Sequence, residues 1–229
     1  MKIWEDIHMD HNQIGIQYMQ ENEWEKAAEA FIKAIEENPN DPVSYINFGN
    51  VLSVAGDNEK ALQFYQKALQ VDPTAAGAYY AAGNLYFEEE NYEEAKKMYE
   101  AAMKAGLETG DNFFMLGLTL VSMDQGKLAL PYLQRSTELN PEDAEAFFQY
   151  GLCLAQCEFI DEAIVQLEKV IELDSTHSDA YYNLGVAWGF KEDDVKSKEY
   201  FEKTLEAQPD HMLAGYGLQI IEKKKEMMN

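Results

Sequence analysis

The stretch AYYNLGVAWGF, Ala180 to Phe190, decides how this chain folds. Tyr181, Leu184 and Trp188 recur at spacings of three and four, which is one face of a helix. Gly185 sits in the middle of that face, where glycine costs about 1 kcal/mol relative to alanine. A helix that places its poorest residue beside its best core residues needs a reason, and recurrence supplies it.

Pro39, Pro73, Pro141 and Pro209 are separated by multiples of 34 residues. In the same register, Gly15, Gly49, Gly83, Gly117, Gly151 and Gly185 are all glycine. Twelve residues after each glycine stand Ala27, Ala61, Ala95, Ala129, Ala163 and Ser197. Four later come Phe31, Tyr65, Tyr99, Leu133, Leu167 and Phe201, and four before each glycine are His11, Tyr45, Tyr79, Phe113, Phe147 and Tyr181. The register runs through six units without a gap.

Each unit reads as two helical segments joined by turn and cap residues such as AGDNEKA, Ala55–Ala61, where an acidic or amide side chain can cap the second helix. Units one, two and four then close on Asn-Pro or Asp-Pro, because proline cannot continue a helix and biases the residue before it away from helical angles. The glycine is expected where the two helices of a unit meet, with the small Ser197 or its alanine equivalents opposite. There a missing side chain lets the backbones approach.

The order aromatic, Leu-Gly, aromatic, Ala, aromatic, Ala, Pro, carried by AYYNLGVAW and DPVSYINFGNVL, resembles the tetratricopeptide repeat. The resemblance implies an all-α fold, a right-handed superhelical solenoid of six helix-turn-helix repeats whose first helices line a concave groove. The repeats fall at residues 8–41, 42–75, 76–109, 110–143, 144–177 and 178–211. Residues 212–229 read as a carboxyl-terminal capping helix, since they have the period of a first helix with no second helix to follow. Residues 1–7, with Ile3 and Trp4, are expected to cover the other end. Lys223, Lys224 and Lys225 suit the carboxyl end of the capping helix dipole; a basic binding patch is the alternative.

Two places depart from the pattern. Repeat three ends KAGLETGD, a looser exit than the usual Asp-Pro, and Pro131 stands inside the second helix of repeat four. That helix is expected either to start late or to kink.

Eighteen lysines and arginines against 42 aspartates and glutamates give a formal charge of −24. Such a field repels phosphate backbones and anionic headgroups, so neither nucleic acid nor a membrane surface is an expected partner. No apolar run approaches the roughly 20 residues a membrane span needs, and a cytoplasmic location is the expectation. Cys153 and Cys157 would lie about 6 Å apart on one helical face, too far for a relaxed disulfide, and read as two packed thiols. His8 and His11 could share a face and bind a metal weakly, but exposed terminal histidines are the commoner case. Phosphate loops and nucleophile-elbow signatures are lacking. The expectation is a protein without catalysis, metal or cofactor.

What remains is the groove. Positions three and two before each glycine, and one, four and five after it, are expected to face it. Repeats two and three then offer Asn47, Asn50, Asn84 and Phe87. Repeat four offers Phe114, Met115 and Leu118; repeat five, Phe148, Gln149 and Leu152; repeat six, Tyr182, Asn183 and Val186. Apolar and aromatic residues run through the second half, as binding surfaces do. Gln13, Asn47, Gln149 and Asn183 recur as amides able to donate to and accept from a peptide backbone; packing between adjacent helices is the other account of these side chains.

The expected function is a monomeric adaptor or scaffold whose groove takes a peptide or amphipathic helix with apolar anchors, with basic flanks drawn by the acidic field. A regulatory subunit acting through its convex face, or a self-associating homo-oligomer, are the alternatives. The lysine-based carboxylate clamp by which some relatives hold acidic chaperone tails is missing: Asn12, Ile46, Tyr80, Phe114, Phe148 and Tyr182 occupy its first lysine position. No chaperone-tail binding is expected.

Overall fold

The structure, a computed structural model, describes residues 10–228. Ile3 and Trp4, expected to cover one end, and His8 lie outside these residues. Thirteen helices are found among the described residues, in two compact units that divide between Glu108 and Thr109, within the loose stretch KAGLETGD.

The first unit holds α1 (His11–Gln20), α2 (Trp24–Glu37), α3 (Pro42–Val54), α4 (Asn58–Val71), α5 (Ala76–Glu88) and α6 (Tyr92–Lys104). The second holds α7 (Gly110–Ser122), α8 (Gly126–Leu139), α9 (Ala144–Gln156), α10 (Ile160–Leu173), α11 (Ser178–Phe190), α12 (Asp194–Ala207) and α13 (Met212–Met228). From α1 to α12, odd-numbered helices are the first helices of the helix pairs and even-numbered ones the second. Every second helix begins nine residues after its repeat glycine.

Caps set these starts. Asp10, Asp41, Thr109 and Asp143 accept from backbone amides in the first turns of α1, α3, α7 and α9. Imidazoles do the same for α11 and α13, where His177 Nδ1 accepts from Ala180 N and His211 Nδ1 from Ala214 N, both at 3.2 Å. Among the second helices, only Asp57 and Asp193 cap with a side chain, accepting from Lys60 N and Lys196 N. The side chains of Glu23, Asn91, Gln125 and Phe159 make no such bond.

The turn within each repeat reverses at one fixed position, seven residues after the glycine. Asn22, Glu90, Asp124, Glu158 and Glu192 there adopt φ between 58° and 69°, and Gly56 adopts 80°. This left-handed geometry disfavours every residue with a Cβ by about 1–2 kcal/mol, so only Gly56 meets it without strain.

The repeat glycines seat a single bulky side chain. A Cβ on Gly15, Gly49, Gly83 or Gly185 would stand 2.5–2.7 Å from the ring of Phe31, Tyr65, Tyr99 or Phe201; on Gly117 and Gly151 it would meet Leu133 at 2.7 Å and Leu167 at 3.0 Å. The side chain that fills the space is therefore that of the residue sixteen positions on, while the small Ser197, expected opposite Gly185, also reaches that glycine. Ala27, Ala61, Ala95, Ala129 and Ala163 are fully buried in their own right, and the Ser197 hydroxyl donates to Gly185 O at 2.8 Å.

Pro131 does not delay its helix: α8 begins at Gly126, in register with its equivalents, and runs through the proline to Leu139. Ala129 and Leu133, on either side of it, are fully buried, so the packing register is kept.

Replacing Gly83 by leucine should overpack the Tyr99 ring and destabilise the chain by about 1–3 kcal/mol; an unchanged thermal melt would refute the seat. Replacing Glu158 by glycine relieves a left-handed residue and should stabilise by about 0.5–1 kcal/mol, and a lower midpoint in urea would contradict it.

Candidate functional site

Position along a first helix is conveniently counted from the repeat glycine. In the first unit, positions one after the glycine are Ile16, Asn50 and Asn84, opposite Phe31, Tyr65 and Tyr99 of the second helices. The Tyr65 hydroxyl donates to Asn50 Oδ1 at 2.9 Å, and the Tyr99 hydroxyl to Asn84 Oδ1 at 2.8 Å. Burial pushes both phenols above the ordinary tyrosine range, so they stay protonated donors. Where the seated residue lacks a hydroxyl, as in Phe31, Leu133, Leu167 and Phe201, the position after the glycine is aliphatic: Ile16, Leu118, Leu152 and Val186. Side-chain chemistry on the groove face thus follows the chemistry of the core behind it.

The other first-unit candidates are engaged as well. Asn47 Nδ2 donates to Asn12 Oδ1 at 2.9 Å, tying α3 to α1. Phe87 packs edge-on against Tyr92, centroids 5.4 Å apart. Tyr80 tilts over Tyr99 at 5.8 Å.

In the second unit the candidates form a band. Three before the glycine stand Phe114, Phe148 and Tyr182, one after it Leu118, Leu152 and Val186, all half-buried except the exposed Val186. Phe148 lies 4.6 Å from the His177 ring and packs on the core of Ile164, Leu167, Leu184 and Ala187. Tyr182 lies between His211, at 4.8 Å, and Phe201, at 5.8 Å. The histidines that cap α11 and α13 therefore also pack, at a tilt, against the groove aromatics of the preceding first helices. Met115 is half-buried beside Phe114. The amides bond along their own helices: Gln149 Nε2 donates to Glu145 Oε1 at 2.7 Å, and Asn183 Nδ2 to Asp179 O at 2.7 Å.

α13 adds what the sequence reading left out. Leu213, Tyr216 and Ile220 stand 34 residues beyond Asp179, Tyr182 and Val186, in the same groove register, and are 58%, 62% and 49% exposed. The shared period is visible in the sequence, but a first helix without a second reads as a cap and not as a groove wall. Tyr182, Val186, Leu213, Tyr216 and Ile220 surround a cleft of about 340 Å³ whose floor includes Phe201. Gly185 and Gly217 flank that ring, and a Cβ on either would stand 2.6 Å from it. Lys224 Nζ bonds the Asp194 carboxylate at 2.8 and 2.9 Å at the margin.

Chemistry at other places is sparse. Cys153 is buried and donates to Gly126 O at 3.4 Å, and burial, with Cys157 beside it, pushes its thiol up to about 12. Both cysteines are free thiols. Among the described residues no group of three or more histidine, cysteine or acidic side chains could hold a metal, and no helix is long and apolar enough to cross a membrane.

Models of the tetratricopeptide repeat match residues 9–41, 30–63, 54–111 and 178–211. A model of the anaphase-promoting complex, cyclosome, subunit 3, matches 88–170. The crystal structure of YrrB, described as a TPR protein with an unusual peptide-binding site, is 54% identical, has a TM-score of 0.79 and covers 84% of this chain and 99% of its own. The chain belongs to the tetratricopeptide-repeat family. Among curated proteins, the TPR repeat-containing protein YrrB of Bacillus subtilis (strain 168) is 69% identical over 35 residues, 15% of this chain. The chain spans 17% of that relative's length in this match. The crystal structure of MamA is 25% identical with a TM-score of 0.69, covering 73% of this chain and 92% of its own. Pseudomonas aeruginosa pilF, at 20% identity and a TM-score of 0.76 over 93% of this chain and 96% of its own, shares the tetratricopeptide fold.

The amide–phenol pair is testable in isolation. Asn50→Leu strips the buried Tyr65 hydroxyl of its acceptor and should destabilise by about 1–3 kcal/mol. Adding Tyr65→Phe should recover most of the loss, because the site then pairs a phenylalanine with an aliphatic residue, as repeats one and six do. Additive losses in a double-mutant cycle would show that the pair is uncoupled.

Proposed function

We propose that this tetratricopeptide protein is a non-catalytic adaptor that binds a peptide or amphipathic helix through the first-helix face of its second unit. The observation that carries the reading is the apolar band in register on α7, α9 and α11: Phe114 and Leu118, Phe148 and Leu152, Tyr182 and Val186. A band of this kind on a water-facing surface is the usual mark of a binding site. The description of YrrB as peptide-binding supports a peptide ligand. Asn47, Asn50, Asn84 and Phe87 serve the first unit mainly by holding its helices in place, while Met115, Gln149 and Asn183 border the band. The acidic field favours basic segments and disfavours acidic chaperone tails, nucleic acid and anionic membrane. The protein acts as a monomer in the cytoplasm on this reading.

Changing Leu152 and Val186 to serine removes two anchors, each worth about 1–2 kcal/mol of binding. A partner crosslinked through a photoreactive residue at Leu118 should be lost in the double variant while the helical melt is retained. Crosslinking that persists, or that is obtained only from the exposed Val165 on a second helix, would move the interface off the groove.

A further inference from the structure

The cleft beside α13 and a row of carboxylates beside the apolar band point to a partner of definite chemistry. Six residues before the glycine, Asp111, Glu145 and Asp179 are all exposed. Positions six and three before the glycine and one after it are spaced by three and four, so they share a helix face. Each first helix of repeats four to six thus presents a carboxylate, an aromatic ring and an aliphatic side chain in line. The carboxylates have neutral amides and an imidazole as partners rather than lysine or arginine: Asn140 Nδ2 lies 3.1 Å from Asp111, Gln149 Nε2 2.7 Å from Glu145 and His211 Nε2 3.5 Å from Asp179. Their negative charge remains available along one margin of the band.

On α13 the line changes character, because Leu213 takes the place of the carboxylate. The α13 wall is apolar over two turns, and the charge at its margin is satisfied internally by the Lys224–Asp194 pair. A cleft of about 340 Å³ with this lining suits one large apolar side chain. The nearest carboxylate without a lysine or arginine partner, Asp179, sits one helical turn, about 5 Å, from Tyr182 along α11.

Resting on the groove reading above, we infer that α13 is a wall of the binding site as well as a cap, and that the site selects a basic-flanked segment. The ligand places a tryptophan, phenylalanine or leucine in the cleft between Tyr182 and Tyr216. Its lysines or arginines follow the row Asp179, Glu145 and Asp111. Apolar burial supplies the affinity, and the carboxylates supply direction and salt dependence.

The test is to pan the full chain against a displayed library of random twelve-residue peptides, then measure a synthetic peptide of the enriched consensus. Enriched sequences should combine a large apolar residue with lysine or arginine. The synthetic peptide should bind several-fold more weakly at 0.5 M salt. It should lose at least tenfold in affinity with Tyr216→Ser combined with Ile220→Ser, and at least threefold with Asp179→Lys. All three side chains are exposed, so the melts should match the native chain. Enrichment of acidic peptides, or binding untouched by the α13 variant but abolished by Leu152→Ser with Val186→Ser, overturns this inference and leaves the groove reading standing. Binding untouched by either pair, or no enrichment at all, counts against both.

Discussion

One contact recurs six times and the rest of the fold is arranged around it: a ring or a leucine from the second helix seated on the bare backbone of the first. The glycine is tolerated at about 1 kcal/mol in helix propensity because the seat brings two helices to a distance that no Cβ permits. Nearly all the local detail follows. Fixed spacing between glycine and seated residue fixes the length of the turn. Fixed turn length then forces a left-handed residue at one position, and five of the six repeats accept the strain at Asn22, Glu90, Asp124, Glu158 or Glu192. Pro131 is carried for the same reason, since Ala129 and Leu133 hold α8 in register around it.

The seat also reaches the surface. A tyrosine there demands an acceptor, and Asn50 and Asn84 supply it from the groove side. A phenylalanine or leucine demands none, and the groove position becomes aliphatic. Asn50 and Asn84 on one side, and Ile16, Leu118, Leu152 and Val186 on the other, follow from what is seated behind them, which is how a repeat with one architecture comes to offer two chemistries.

The sequence made the period, the helix pairs, the glycine contact and the apolar band legible, because each leaves a residue type at a fixed spacing. It did not show which residue fills the glycine, since Ser197 and its alanine equivalents are small and buried as well. The strained turns were hidden because glutamate, aspartate and asparagine do not announce a positive φ as Gly56 does. With Gln13, Asn47, Gln149 and Asn183 read as a row of peptide-gripping amides, and the structure gives these three a protein partner, as it does the groove candidates Asn50 and Asn84. Tyr216 and Ile220 were hidden because a first helix without a second reads as a cap, which needs only a dry inner face, whereas α13 also continues the groove register of α11.

Methyl-resolved NMR during titration with a peptide enriched on the full chain tests the central claim most directly, since it reads each face of the second unit separately. The account predicts that methyls of Leu152, Val186 and Ile220 shift and saturate together, while those of Leu128 and Val165, exposed on second helices, stay in place. Shifts confined to Leu128 and Val165, with the groove methyls unmoved, would contradict it.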